Sequence, residues 1–413
     1  MSLKPGMLIR VFLPFALGYF LSYLYRTVNA VIAPDLVRDI GVDPASLGLL
    51  TSAYFLAFAA FQLPLGVLLD RYGPRRVEAV LLLFAAAGAF TFSRAETLTG
   101  LMLGRALIGL GVSACLMAAF KAFTLWLPVE KLPLANGVQM ISGGVGALAA
   151  STPVELTLKF TDWRGVFLIL AGLTVIAAIC IFLVVPEKQD SRSGETIREQ
   201  LQGIREVFTS TTFWSIAPWA VAAQAAYLSI AGLWSGPWLR DIAGYNRMTA
   251  ANTLMGISVA MIVGYFAFGS LAERLGRRGI QPMTVAAAGM LCFIVVQCMI
   301  VLQMVSMTRT LWFLFGFFGT ACILPYAALS QNFSRHLSGR VNTGLNLLVF
   351  VAAFAAQWAI GLVIDLWPQT ASGSYSAAGY SSSFGLIVIL QLAGAIWYFL
   401  AIGRNKLSGS RTA

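Results

Sequence analysis

GVLLDRYGPRRV (66–77) and GSLAERLGRRGI (269–280) are two versions of one pattern, set 203 residues apart. Each closes an apolar run with an acid, Asp70 or Glu273, and then three arginines: Arg71, Arg75 and Arg76 in the first copy, Arg274, Arg277 and Arg278 in the second. LANGVQM (134–140) and RVNTGLN (340–346) echo each other at nearly the same offset, 206, which sets Asn136 against Asn342. A repeat at half-chain spacing means that the chain is built twice from one unit.

That unit is a set of membrane spans. Only 11% of the 413 residues are charged and 58% are hydrophobic, against about 25% charged in a soluble domain. The mean hydropathy is +0.79. Apolar runs long enough to cross a bilayer recur at about 8–32, 47–69, 77–94, 99–126, 134–158 and 165–185, and again at about 213–238, 250–272, 281–304, 308–331, 340–366 and 382–403. The expectation is an all-α integral membrane protein with twelve transmembrane helices in two pseudo-symmetric halves of six, residues 1–185 and 213–413. Residues 186–212 form a central linker, whose stretch from Glu195 to Phe208 has the spacing of an amphipathic helix lying on the membrane surface. ASGSYSAAGYSSS (371–383) reads as a loop.

With both termini cytoplasmic, the inner side carries 18 Lys and Arg against 7 outside, and Arg26, Arg105 and Lys121 lie inside spans. The N-terminus runs directly into apolar sequence with no small-residue cleavage site, and reads as a retained first span. The net charge of +11 is spread between apolar runs rather than gathered on one face, which argues against nucleic acid. A single His and five Cys without ligand spacing give no metal or cofactor site and no disulfide framework. No nucleotide loop or nucleophile–base set is present, so a membrane enzyme or sensor is disfavoured.

The loop carrying Gly66, Asp70, Arg71, Gly73, Arg75 and Arg76 resembles the Gly-x-x-x-Asp-Arg-x-Gly-Arg-Arg type loop of the major facilitator superfamily, and the second copy keeps Gly269, Arg274, Gly276, Arg277 and Arg278 with Glu273 in place of Asp. Pro74 departs from the simplest form without removing a charge. The resemblance covers essentially the whole chain. It implies alternating access, with Asp70, Arg71, Arg75, Glu273 and Arg274 as gating residues whose contacts to the opposite half hold the inner gate shut in one state. LGRALIGLGVSA (103–114) resembles the fourth-span motif of the family, where Arg105 is either a buried anchor or part of a charge relay. The fifth span lacks the Gly-Pro pair of drug-exporting members.

Within LSYLYRTVNAVIAP (21–34), Arg26 lies inside an apolar run, and a charge there faces protein or a watery cavity unless it snorkels to the surface. It is similar in place to the substrate-binding first-span Arg of organic-anion symporters in the superfamily, and a guanidinium suits a carboxylate because it binds both oxygens. Tyr23 stands beside it, Lys121 adds positive charge, and Gln139, Gln224, Tyr227, Asn346 and Gln357 are candidate polar and aromatic partners. A positive cavity selects a small-molecule anion and repels organic cations. Those symporters often carry an acid immediately before this Arg, where Tyr25 stands here. Proton coupling is therefore assigned to Glu155 or Asp365, with Arg105 in support, while sodium symport, anion exchange and uniport stay open. The expected protein is a monomeric secondary transporter of an organic anion in the plasma membrane, surrounded by lipid. A proton-coupled exporter of amphipathic compounds is the alternative.

Overall fold

A computed structural model describes residues 5–127, 132–187, 197–334, 337–370 and 373–409. Six of the basic residues counted for orientation (Lys4, Lys131, Lys188, Arg192, Arg335 and Arg411) and the first part of the linker lie outside the described residues. The described chain is helical, with no strand.

The first span is Pro5–Thr27 continued by Asn29–Ile40, and its two arms meet at 46°. Pro44–Arg94 carries the second and third spans, divided at Gly73, whose φ of 77° and ψ of 158° break the helix. The fourth is Leu98–Val112 with Cys115–Trp126, the fifth Leu132–Ala149 with Thr152–Thr157, and the sixth Trp163–Val184. A connector helix, Ile197–Thr209, leads to the second half. There the seventh span runs Thr211–Ser229, a π turn Ile230–Trp234 and Ser235–Asp241. The eighth is Arg247–Gly276, the ninth Pro282–Val301, the tenth Thr308–Gly319 and Leu324–Asn332 joined by a 3-10 turn, the eleventh Ser338–Asp365 and the twelfth Ala377–Gly409. Among the described residues ten helices are long and apolar enough to cross a bilayer, and the bent first pair is an eleventh. The broken fifth completes the twelve-helix membrane fold.

Side-chain caps start the helices at one end of the bundle. Asp43 accepts from the Ser46 N–H, Thr97 from Gly100, Asp162 from Gly165 and Asn246 from Thr249, which opens the second, fourth, sixth and eighth spans. The sixth span keeps Phe167, Ala177 and Ile181 buried and turns Ile169, Ile176 and Leu183 outward, as a helix between protein and lipid must. Gln297 and Gln391 exchange amide hydrogen bonds of 3.0 Å, which ties the ninth span to the twelfth where no water can serve either amide.

Two expectations need revision. Residues 377–383 are not loop but the first two turns of the twelfth span. Tyr380 is buried and its hydroxyl donates to Asp241 at 2.8 Å, so packing against the end of the seventh span overrides the small, polar composition. The connector helix does form, but it docks on the protein: Val207 is buried, and Val207 and Phe208 stand over Gly344 of the eleventh span.

The two halves meet most closely at the capped end. A Cβ on Gly236 of the seventh span would stand 1.8 Å from the Ala30 carbonyl oxygen of the first, and one on Gly361 of the eleventh 2.3 Å from the Pro44 carbonyl of the second. Only glycine admits backbones this close. At the other end, which carries the two repeated loops, none of the described ion pairs joins the halves: Asp70 pairs with Lys121, Arg75 and Arg76 with Glu187 at the start of the linker, and Glu273 with Arg277. The capped end is thus the sealed one. Gly236→Leu is expected to force it open, read as a longer distance between spin labels on the exposed positions Phe160 and Leu366. An unchanged distance distribution would refute the seal.

Candidate functional site

The bend in the first span makes the site. The Thr27 hydroxyl donates back to the Tyr23 carbonyl at 2.9 Å, a bond that loosens the helix one turn below Val28, where the second arm begins. Arg26 sits on the inner side of this bend and is 8% exposed, so it does not snorkel. Its guanidinium carbon lies 4.5 Å from the Tyr23 ring centre, 5.5 Å from Phe58, 6.0 Å from Tyr54 and 5.2 Å from Phe350 of the opposite half. Among the described residues no carboxylate pairs with it, and its Nε has no hydrogen-bond partner. The surroundings of Arg26 are thus an aromatic cage around one guanidinium that has no carboxylate partner among the described residues.

Arg26 borders a cavity of about 290 Å³ between the halves. The first half contributes Tyr19, Ser22, Tyr23, Gln62 and Ser113, the second Gln224, Tyr265, Tyr326, Asn342 and Asn346. Asn346 donates to Gln62 at 3.2 Å across the interface and accepts from Tyr326 at 3.1 Å, so its amide is fixed. Tyr23 and Tyr265 hydroxyls meet at 3.4 Å, again across the halves. On the sealed side of Arg26 a small recess is bounded by Tyr227, Gly232 and Ser258. Gly232 lies in the π turn, a distortion that brings the seventh span near the first.

The structure thus gathers Arg26, Tyr23, Gln224, Tyr227 and Asn346 around connected space. Lys121 is elsewhere, 3.0 Å from Asp70 beside the 66–77 loop. Gln139 donates to the Phe15 carbonyl at 3.0 Å and pins the fifth span to the first. Gln357 donates to Thr51 at 2.5 Å and joins the eleventh span to the second within the seal. Arg105 donates to the Tyr25 carbonyl at 2.9 Å and lies 5.1 Å from the Tyr54 ring centre, the contacts of an anchor between the fourth and first spans. Asp365 is exposed at the end of the eleventh span. Glu155 is engaged: Arg247 reaches it at 2.9 Å and holds Asp35 bidentately at 2.8 and 2.7 Å. Because Asp35 and Glu155 belong to the first half and Arg247 to the second, this triad locks the sealed end.

Gln62, Ser22 and Tyr265 were not among the sequence candidates. Gln62 had a readable signal, a lone amide in the apolar run before Pro64. Ser22 and Tyr265 had none, since single small polar and aromatic residues are common in spans.

The sequence model of the Major Facilitator Superfamily matches residues 15–357. The chain belongs to that superfamily. Among curated members, it is 24% identical over 63% of its length to the probable sulfoacetate transporter SauU of Cupriavidus necator, covering 64% of that protein. It is 22% identical over 56% of its length to the hexuronate transporter of Escherichia coli, covering 57% of it. The probable L-galactonate transporter of Escherichia coli matches at 22% over 84% of this chain and 80% of its own. The chain therefore spans under two thirds of the first two relatives. In fold it superposes on a bacterial homolog of the human lysosomal transporter Spinster, inward-facing and occupied, with a TM-score of 0.78 at 20% identity, covering 97% of each chain.

In this superfamily fold, removing Arg247 takes the shared cation from the side chains of Asp35 and Glu155, 9% and 10% exposed, and leaves Asp35 only the exposed Arg38 at 3.3 Å. Arg247→Ala is expected to cost about 2 kcal/mol, measured as a lower unfolding temperature in detergent. Adding Asp35→Asn is expected to restore part of it. An unchanged unfolding temperature in the single variant would show the triad to be energetically idle.

Proposed function

We propose that the protein is a secondary transporter that carries a small organic anion, a carboxylate, by alternating access. One observation carries the reading: Arg26 is a buried guanidinium without an acid, at the wall of a cavity shared by both halves. A substrate carboxylate supplies the missing charge, and Gln224 and Asn342 of the second half line the cavity as partners for hydroxyl groups. The relatives' names, sulfoacetate, hexuronate and L-galactonate transporter, point to the same class of substrate. They favour it over an exporter of amphipathic compounds and over an enzyme.

On this reading the repeated loops face the cytoplasm in the plasma membrane, both termini are inside, and the structure is the inward-facing state. The halves are residues 1–185 and 213–413, tied by 186–212. In the opposite state Asp70, Arg71, Arg75, Glu273 and Arg274 take partners across the interface while the Asp35–Arg247–Glu155 lock opens. A proton is the coupling ion.

The test is thermal stabilisation of the purified protein by galacturonate, gluconate, sulfoacetate, an aromatic acid and a lipophilic cation, since a bound ligand raises apparent stability. One acid is expected to stabilise the wild type, and Arg26→Ala to weaken that acid by about 100-fold, with Arg26→Lys between them. Stabilisation by the cation, equal in wild type and Arg26→Ala, would overturn the proposal.

A further inference from the structure

Glu78, near the start of the third span, is fully buried, and neither of its carboxyl oxygens has a hydrogen-bond partner among the described residues. A bare carboxylate in such a place is far costlier than the neutral acid. Among the described residues, the helices packed on it offer no ion pair to Glu78. The first span presents Gly18, where a Cβ would stand 2.2 Å from Glu78 Oε1, so the missing side chain makes room for the carboxyl group. The sixth presents Ile181, and the fourth the thiol of Cys115, the first residue after that span's break. On its own helix Arg75 and Arg76 turn instead to Glu187.

The position is one helix behind the substrate cavity. Tyr19, next to Gly18, and Leu116, next to Cys115, both line that cavity. Gly18 and Arg26 share one helix arm, eight residues apart, or about 12 Å along the axis.

We infer that Glu78 is the proton-binding carboxylate that couples proton movement to anion binding at Arg26. The inference rests on the organic-anion reading of Arg26 and adds the coupling site to it. With Arg26 vacant, its positive charge favours loss of the Glu78 proton. When an anion neutralises Arg26, that pull disappears and the proton is held. The two ligands therefore strengthen each other, on the order of tenfold at an effective dielectric of about 20 when the axial spacing of Gly18 and Arg26, about 12 Å, is taken for the separation of the charges. One proton joins or leaves one Glu78 oxygen, and no substrate bond changes.

The experiment uses full-length wild type, Glu78→Gln and Glu78→Asp in liposomes. Infrared difference spectra between acidic and alkaline buffer, without substrate, should show in wild type a carboxylic-acid carbonyl band that bleaches in alkali. The band should be missing in Glu78→Gln and displaced in Glu78→Asp. Identical bands in all three overturn the assignment. With galacturonate as probe, or whichever acid of the panel stabilises the protein, wild-type affinity should fall about tenfold on alkalisation, and Glu78→Gln should keep the acid-form affinity throughout. Glu78→Gln should exchange the acid across the membrane but not accumulate it down a pH gradient. Accumulation at the wild-type level overturns the proposal. If wild type binds none of the acids, the reading of Arg26 fails, and the infrared band still decides on Glu78 alone.

Discussion

The cost of placing a charge inside a bilayer governs this structure. At the helix centre that cost is at least about 2.5 kcal/mol for a basic or acidic side chain, and each intramembrane charge is met in a different way. Arg105 is satisfied by the Tyr25 carbonyl and the Tyr54 ring. Lys121 and Asp70 neutralise each other. Arg247 holds two acids at once. Arg26, Arg105 and Glu78 have no partner of opposite charge among the described residues, but Arg105 donates to a backbone carbonyl in the helix packing, while Arg26 borders the cavity and neither Glu78 oxygen has a hydrogen-bond partner.

The same cost explains how the two halves can part. The seal at the capped end combines glycine-mediated backbone approach, the Gln357–Thr51 hydrogen bond and the Arg247 triad. None of these is a large interdigitated apolar core. Opening exposes polar groups that water can then solvate, which offsets part of the cost of parting them. The 66–77 loop holds charges that are already satisfied locally through Lys121 and Glu187. In the proposed gating role it exchanges those partners for others across the interface in the opposite state.

Span number, the division into halves and the repeated loops were legible because they rest on properties of single residues: apolar length and the clustering of acid and arginine. Arg26 was legible for the same reason, as a charge in an apolar run. Gln139 and Gln357 carried the same kind of signal and yet serve helix packing, because sequence does not show whether a polar residue faces a cavity or a neighbouring backbone. Lys121 followed the same rule, and its pairing with Asp70 depends on a contact 51 residues away in sequence. The start of the twelfth span was misread because Tyr380 meets Asp241, a contact that composition does not record.

An anion can drive this equilibrium only if it binds one state better than another. The cage around Arg26 shows how that difference arises. Tyr23, Tyr54 and Phe58 belong to the first half, while Phe350 comes from the second, as do Asn346 and Gln224 across the cavity. A small acid held by Arg26 reaches the amides of the other half only while the halves are close at the level of the site. On the proposed reading, the anion favours arrangements with a closed waist over those splayed at either end, through the contacts that would recognise it. On the same reading, substrate recognition and the passage between inward-open and outward-open states are one interaction, centred on a guanidinium without a carboxylate partner among the described residues.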